Sequence, residues 1–579
     1  MCLGDVGKTW SLEDARTVIL VSSTTGEGEQ PENVIKFWRK LRAKTLPADF
    51  LSRVKFAQLG LGDTNYNEFC AGPKALNRRL TELGAQCFHG PAWADDGTGL
   101  EVVVEPWLDG LWEALSSVMA AGSQEDPVIS GLANIQLADR SDKAYSLLAC
   151  PKRFLSITYT DGNPEPETTE ERTGESLSYP SMRSPPVVCT VLSSELLSQP
   201  DPERAVKEYY QLVLSSDLQY EVGDTVGVLG LNISEEVEFI RGAVSEEDRQ
   251  HWNSPCTVAL STEAPAKAKH PPHLPREVTS LEKIFSGAVD IRAVPKRLFL
   301  RALLEFTSAP EERERLTLLS SKEGSQEYII KVREAQLSLL DLLALLPSCR
   351  PPASLLLEHL PRLLARPYSL SSCPQDVAGQ ISWLYTRVTQ PRPGLTTTRL
   401  AALQPGARLA LYPRTSHGFS PPEDPAVDFI MVAAGSGIGP FLAFLSQRRA
   451  RLDRGETLTG QCWLVFGCRY SDGDFLHKDL LQQWESSGVL SRLNVSFSRE
   501  HRGGPKYVQD SLRLEKDALT EWLHQRSASF YVCGDAKGMA SDVKKVVAEI
   551  LTEKLGAAAG SDLFQSLVRQ KRYREDIWS

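Results

Sequence analysis

Short apolar runs that end on glycine-bearing turns, each followed by residues of helical period, recur at both ends of this chain. TVILVSS from Thr17 reads as a strand, and VKFAQLGLGD and QCFHGPAWADD as two more. VIKFWRKLRA has a helical pattern. PKALNRRLTELGA carries Leu76, Leu80 and Leu83 at helical spacing and stops at Gly84; EPWLDGLWEAL closes the series as an amphipathic helix. Strands alternating with helices over residues 17–118 predict an α/β unit with a parallel sheet. The alternation returns over 426–579 in DFIMVAAGSGIGPFLAFL, CWLVFGCRY, LNVSFSRE and SFYVCGDAKGMASDVKKVV.

In the middle the period changes. VVCTVLSSELL, KEYYQLVLSSDLQYEVGDTVGVL, ISWLYTRVTQ and ARLALYPR, within 186–235 and 366–425, predict pieces of a β-barrel. The stretch 236–350 is mainly helical. It holds KRLFLRALLEFT, with Pro295 ahead of it as an N1 residue, and AQLSLLDLLALL. A helical insert in a barrel is therefore expected. Residues 119–185 include TDGNPEPETTEERTGESLSYPSMRSPP, too polar to bury a core, and read as a flexible hinge linker. The expected division is 1–118, 119–185, 186–425 with its insert at about 236–350, and 426–579.

The length of 579 residues suits three or four domains. A net charge of -10 argues against a nucleic-acid binder and leaves room for an acidic face that docks on a basic partner. The eleven cysteines are odd in number and never in C-x-x-C pairs, so reduced thiols in a cytosolic protein are expected. The N-terminal MCLGDVGKTWSLEDA has no apolar leader core, and the apolar stretch Val427–Leu445 is interrupted by Asp428 and a Gly-Ser-Gly turn. Neither a membrane partner nor a metal site is expected.

Several short motifs carry candidate chemistry. Gly435, Ser436 and Gly437 join a strand to a helix, where a backbone can approach a pyrophosphate; such turns also serve tight packing. Ser498, Arg499, Lys506, Tyr507 and Gln509 lie on two loops after a strand and suit a dianionic phosphate, which favours NADPH over NADH; the plainer reading is a solvated charged loop. Cys533 ends an apolar strand, as a ligand-facing thiol or as inert packing. Arg366 can neutralise a pyrophosphate, Tyr368 can pack on a flat ring, Ser369 can hydrogen-bond a flavin edge, and Gly394 to Thr397 offer donors to a diphosphate. Tyr66 follows a glycine-bearing loop, placed to stack on a ring or to fill a core. Trp578 in KRYREDIWS could shield a redox cofactor or lie in a frayed terminus.

Taken in this order, the motifs resemble the diflavin reductases, the group that includes cytochrome P450 reductase. HGPAWADDGTGLEVVVEPWLDGLW, DIRAVPKRLFLRALLEFTSAPEERERLTLLSSKEG, PSCRPPASLLLEHLPRLLARPYS and KRYREDIWS carry the likeness, which spans all but the linker. Within the group they look most like the members that reactivate the cobalamin of methionine synthase. The resemblance implies a flavodoxin-like FMN domain, a ferredoxin-reductase-type FAD barrel with a helical insert, and a Rossmann-like NADPH domain. Electrons would pass from NADPH to FAD to FMN and then to methionine synthase. Arg366, Pro367, Tyr368, Ser369, Gly394, Leu395, Thr396 and Thr397 would bind FAD, with Trp578 stacked on its ring. Lys207, Ser498, Arg499, Tyr507, Val508, Gln509 and Asp542 would bind NADPH, and Ser369, Cys533 and Asp576 would position nicotinamide for hydride transfer. A monomeric cytoplasmic enzyme is implied.

The family opens with a strand and a phosphate loop that are missing ahead of TVILVSS, which resembles the third strand of a flavodoxin sheet. FMN is therefore expected to bind weakly or not at all, although Thr24, Thr25, Gly26, Gly62, Asp63 and Tyr66 could line the remaining half-site. Two alternatives stay open: an FAD-only NADPH dehydrogenase of artificial acceptors, and a non-catalytic partner that stabilises methionine synthase.

Overall fold

The computed structural model describes residues 12, 15–24, 30–31, 34–43, 46–62, 69–95, 100–120, 147, 150–160, 186–199, 201, 203–204, 206–265, 268–390, 392–414, 418–500 and 503–578. Contacts divide the chain into two compact units, Met1–Leu148 with Thr317–Gln336, and Ala149–Leu316 with Leu337–Ser579.

In the first unit, β1 (Thr17–Ser23), β2 (Lys55–Gly62) and β3 (Gln86–Asp95) form a parallel sheet in that order. β2 is apolar on both faces because both are covered. Phe56 packs with Leu20, Phe37 and Leu76 beneath the helices Ile35–Leu41 and Ala71–Glu82, whereas Ala57 and Leu59 pack with Trp107 and Leu111 of the helix Glu101–Ala120. β1 stands at the edge of this sheet. Leu20 is buried, but Ile19 and Val21 on its other face are 41% and 53% exposed.

In the second unit, β4 (Leu155–Tyr159) lies inside the segment expected to be linker. Leu155, Ile157 and Tyr159 alternate along it, and it pairs antiparallel with β8 (Cys256–Leu260), a strand within the stretch expected to be helical. Its entry is fixed by Glu358, whose carboxylate accepts from the Phe154 and Leu155 N–H groups, both at 2.7 Å. The barrel sheet comprises β5 (Val187–Leu196), β6 (Tyr209–Ser215), β7 (Thr225–Leu229), β9 (Ala365–Ser369), β10 (Gln380–Thr386) and β11 (Arg408–Arg414). Their order is β10-β6-β5-β11-β7-β9, all antiparallel. Leu212, Val226, Trp383 and Leu411 fill its centre.

Helices dominate the insert between β7 and β9. Pro295 precedes the N-cap Lys296 of the helix Arg297–Leu303 rather than occupying N1, because Lys296 stays extended. The second helix starts at Leu339, not Ala335. Gln336 has φ of +52°, and Ser338 with Asp341 forms a capping box.

The last sheet is parallel: β12 (Phe429–Ala434), β13 (Cys462–Cys468), β14 (Arg492–Phe497), β15 (Ser529–Asp535) and β16 (Tyr573–Trp578), in the order β14-β13-β12-β15-β16. Met431 and Ala433 of β12 face Phe441 and Phe444 of the helix Gly439–Asp453, while Ile430 and Val432 face Val543 and Val547 of the helix Ser541–Leu555. Each such side chain contributes about 1.5–3 kcal/mol of burial. Two covered faces explain why the run reads as continuously apolar. The apolar stretch at 427–445 is this strand, turn and helix, and no helix among the described residues is long and apolar enough to cross a membrane.

Candidate active site

Ligands in parallel α/β sheets bind beyond the carboxyl ends of the strands. At that end of the last sheet, β15 and β16 run in register and set Cys533 opposite Asp576. β9 of the barrel delivers Ser369 to the same point. The Ser369 hydroxyl donates to Asp576 Oδ2 at 2.5 Å, and the Cys533 thiol donates to the same oxygen at 3.7 Å. Burial pushes the Asp576 carboxyl above the usual aspartate value, while the bonds from Ser369 and Cys533 and the charge of Arg414 pull it down. Burial, then the Asp576 charge and hydrogen bond, hold the Cys533 thiol well above its ordinary value. The cysteine is a neutral donor here, not a thiolate nucleophile.

The Gly435–Ile438 turn closes the other side. Gly435 has φ of +55°, the left-handed region that suits glycine. A Cβ on Gly437 would lie 2.3 Å from the Cys533 carbonyl oxygen and 3.3 Å from the Trp578 indole. Ser436 Oγ and Thr386 Oγ1, at the end of β10, share a hydrogen bond of 3.1 Å. The backbone at Gly437 thus approaches the cysteine and the indole as only glycine permits. Replacing Gly437 by alanine is expected to cost about 1–3 kcal/mol of stability through overpacking against backbone, read as a lowered unfolding midpoint.

A cationic group lies at the ends of β13 and β14. Burial lowers the Lys207 pKa from the ordinary lysine value, and Arg469 and Arg499 lower it further, against Asp535 and Asp474. Such mutually opposed cations fit an anionic phosphate. The Ser498 N–H and hydroxyl both engage the Cys468 carbonyl, and Arg499 is exposed. Lys506 sits 5.3 Å over the ring of Tyr507, itself 50% exposed. Gln509 Oε1 is buried without a partner among the described residues, as an acceptor awaiting a ligand donor would be. Asp542 is exposed in the first turn of the helix Ser541–Leu555. Val508 departs from the expectation: its side chain is 2% exposed, packed in the core against Gly467, so only its backbone can face a ligand. Arg469, at the end of β13, was not among the residues singled out by sequence; a cation at a strand's carboxyl end is its only local signal.

On the barrel, Arg366 and Pro367 are exposed on β9, and Tyr368 stacks on Trp383 with ring centroids 5.8 Å apart. Gly394 caps the helix Leu395–Ala401, and a Cβ there would meet Thr397 Oγ1 at 2.7 Å. Thr396 is buried, with its hydroxyl over Gly230. The exposed guanidinium, the hydroxyl of Thr397 and the tight turn suit a diphosphate, whereas the Thr396 side chain is turned inward. In the first unit, Gly62 ends β2 and Thr24 follows β1, its Oγ1 buried and without a partner among the described residues. Thr25, Gly26, Asp63 and Tyr66 lie outside the described residues.

Family models match this chain in three stretches: Flavodoxin over residues 1–107, FAD binding domain over 179–392, and Oxidoreductase NAD-binding domain over 431–545. FAD, FMN and NADPH are the cofactors of this set. The methionine synthase reductases of Bos taurus and Homo sapiens are 34% and 33% identical to it, each alignment covering 100% of this chain and 95% of the relative. The NADPH–cytochrome P450 reductase of Sus scrofa is 30% identical, over 100% of this chain and 83% of its own. With its cysteine, carboxylate and indole gathered beside a glycine turn and a cationic group, and with identity of this extent, the chain belongs to the methionine synthase reductase family of NADPH-dependent diflavin oxidoreductases.

Proposed function

We propose that this chain takes reducing equivalents from NADPH and delivers them, through FAD and FMN, to the cobalamin of methionine synthase. The observation that carries the reading is the convergence of Ser369 and Cys533 on one Asp576 oxygen, beside Gly437, whose added Cβ would lie 3.3 Å from the Trp578 indole. The partner is suggested by what the relatives are named for. In this reading residues 1–118 hold FMN, 186–425 hold FAD and 426–579 hold NADPH, with 119–185 as the connecting segment, in a cytoplasmic monomer.

When bound, nicotinamide and flavin supply the electron chemistry. The chain supplies position and charge. Asp576 would keep one half-buried negative charge near the nicotinamide, and it orients the Ser369 hydroxyl. Cys533 keeps its proton and fills the floor. Arg366 and Thr397 would hold the FAD diphosphate, and Trp578 would stack on the flavin. Lys207, Ser498, Arg499, Lys506 and Tyr507 would hold the NADPH phosphate.

The test is flavin content followed by acceptor choice. The Flavodoxin match over residues 1–107 favours FMN binding over the weak binding expected from sequence, so released flavins are expected at one FAD and one FMN per chain. With NADPH and with S-adenosylmethionine as methyl donor, this protein is expected to reactivate methionine synthase whose cobalamin is oxidised and inactive. FAD alone, with ferricyanide reduced but no reactivation, would replace the proposal by an FAD-only dehydrogenase.

A further inference from the structure

The helical insert grips the turn that precedes Gly394 from two sides. Arg292 forks onto Glu236, with Nε donating to Oε2 at 2.8 Å and Nη2 to Oε1 at 2.9 Å. Its Nη1 donates to the Pro393 carbonyl at 2.6 Å. The pair is largely buried, with side chains 15% and 20% exposed. A bidentate carboxylate fixes the plane of a guanidinium, so its third donor points in one direction. The Arg292 backbone N–H also donates to Asp290 Oδ1 at 2.9 Å. On the second side, Arg392 donates to Ser338 Oγ at 2.9 Å and to Asp341, the two residues that cap the helix Leu339–Ala344. The Leu339 N–H donates to the Ala293 carbonyl at 3.1 Å and ties the two arms together.

We propose that Arg292, held by Glu236, is a positioning residue for the FAD diphosphate: it sets the Pro393–Gly394 turn that opens the Gly394–Thr397 segment. The inference rests on the assignment of Arg366 and Gly394–Thr397 to that diphosphate. A turn fixed before the ligand arrives spares the ligand the cost of ordering it. The insert then helps to hold flavin through the turn it braces.

The experiment uses the full chain with Arg292→Ala, Arg292→Lys, Glu236→Gln and Arg366→Ala. FAD retention after gel filtration and the Kd for FAD re-binding are measured by flavin fluorescence, beside FMN content and the unfolding midpoint of the FAD-free protein. Arg292→Ala is expected to weaken FAD binding about tenfold or more, as loss of a supporting partner does at other sites. Arg292→Lys, which keeps one donor, should recover part of this, and Glu236→Gln should fall between. FMN content and the FAD-free midpoint should not move. Unchanged FAD affinity in Arg292→Ala, with FAD lost from Arg366→Ala, overturns the proposal. FAD retained by both removes the diphosphate assignment and the proposal with it. A lowered FAD-free midpoint in Arg292→Ala, with normal FAD affinity in Arg292→Lys and Glu236→Gln, leaves Arg292 as a folding residue and also overturns it.

Discussion

Flavin reduction by NADPH should slow about a hundredfold when Asp576 is replaced by asparagine, with coenzyme affinity changed far less. Asparagine keeps the shape and an acceptor oxygen for Ser369, so the variant isolates the charge. That charge is half-buried and is met by the Ser369 hydroxyl at 2.5 Å and the Cys533 thiol at 3.7 Å. The pH profile gives the sign. The working form is the carboxylate, and burial has raised its pKa above the usual aspartate value, so the wild-type rate falls as pH drops through that raised value. The asparagine variant has nothing to titrate there and should lack this limb. Cys533→Ala should cost less, about tenfold, because the thiol is a neutral donor. Stopped-flow bleaching of flavin absorbance across pH reads both. An asparagine variant with full rate and an intact acid limb would assign the limb to another group and demote Asp576 to packing.

Replacing Arg499 by alanine is expected to raise KM for NADPH about ten- to a hundredfold and to leave NADH nearly unaffected. Only NADPH carries the extra phosphate that the cationic group fits. Lys207 is depressed chiefly by burial and then by Arg469 and Arg499, so the three cations repel one another until an anion joins them. Because Arg499 is exposed, the difference should shrink at high salt. Steady-state kinetics with both coenzymes at two ionic strengths decide the matter, and an equal loss for both coenzymes removes the phosphate from this place.

Where an element is covered on both faces, its residues announced it. β12 reads as a buried strand, its glycine turn as a turn, and the first half of the helix Gly439–Asp453, through Leu445, as apolar, because those positions are buried; the second half, SQRRARLD, is polar where the helix meets solvent. β4 was hidden in a polar neighbourhood, and its signal was an alternation across a single short strand. Val508 was read as a ligand contact through its motif, although its i,i+4 spacing with Leu512 marks the inner face of the helix Val508–Leu514. Site partners far apart in sequence leave no local signal. The link between Ser369 and Asp576 came through resemblance, and the grip of Arg292 on Pro393 was not visible at all, since the two residues are 101 positions apart.

The Ser369–Asp576 bond spans 207 residues. Closing so long a loop is entropically costly and late in folding, after barrel and sheet have each formed from nearer contacts. During synthesis Ser369 emerges well before β16, and until that strand seats against β15 the barrel's serine and the sheet's cysteine have no common acceptor. A nascent or nicked chain can therefore build a flavin barrel that is not yet a reductase.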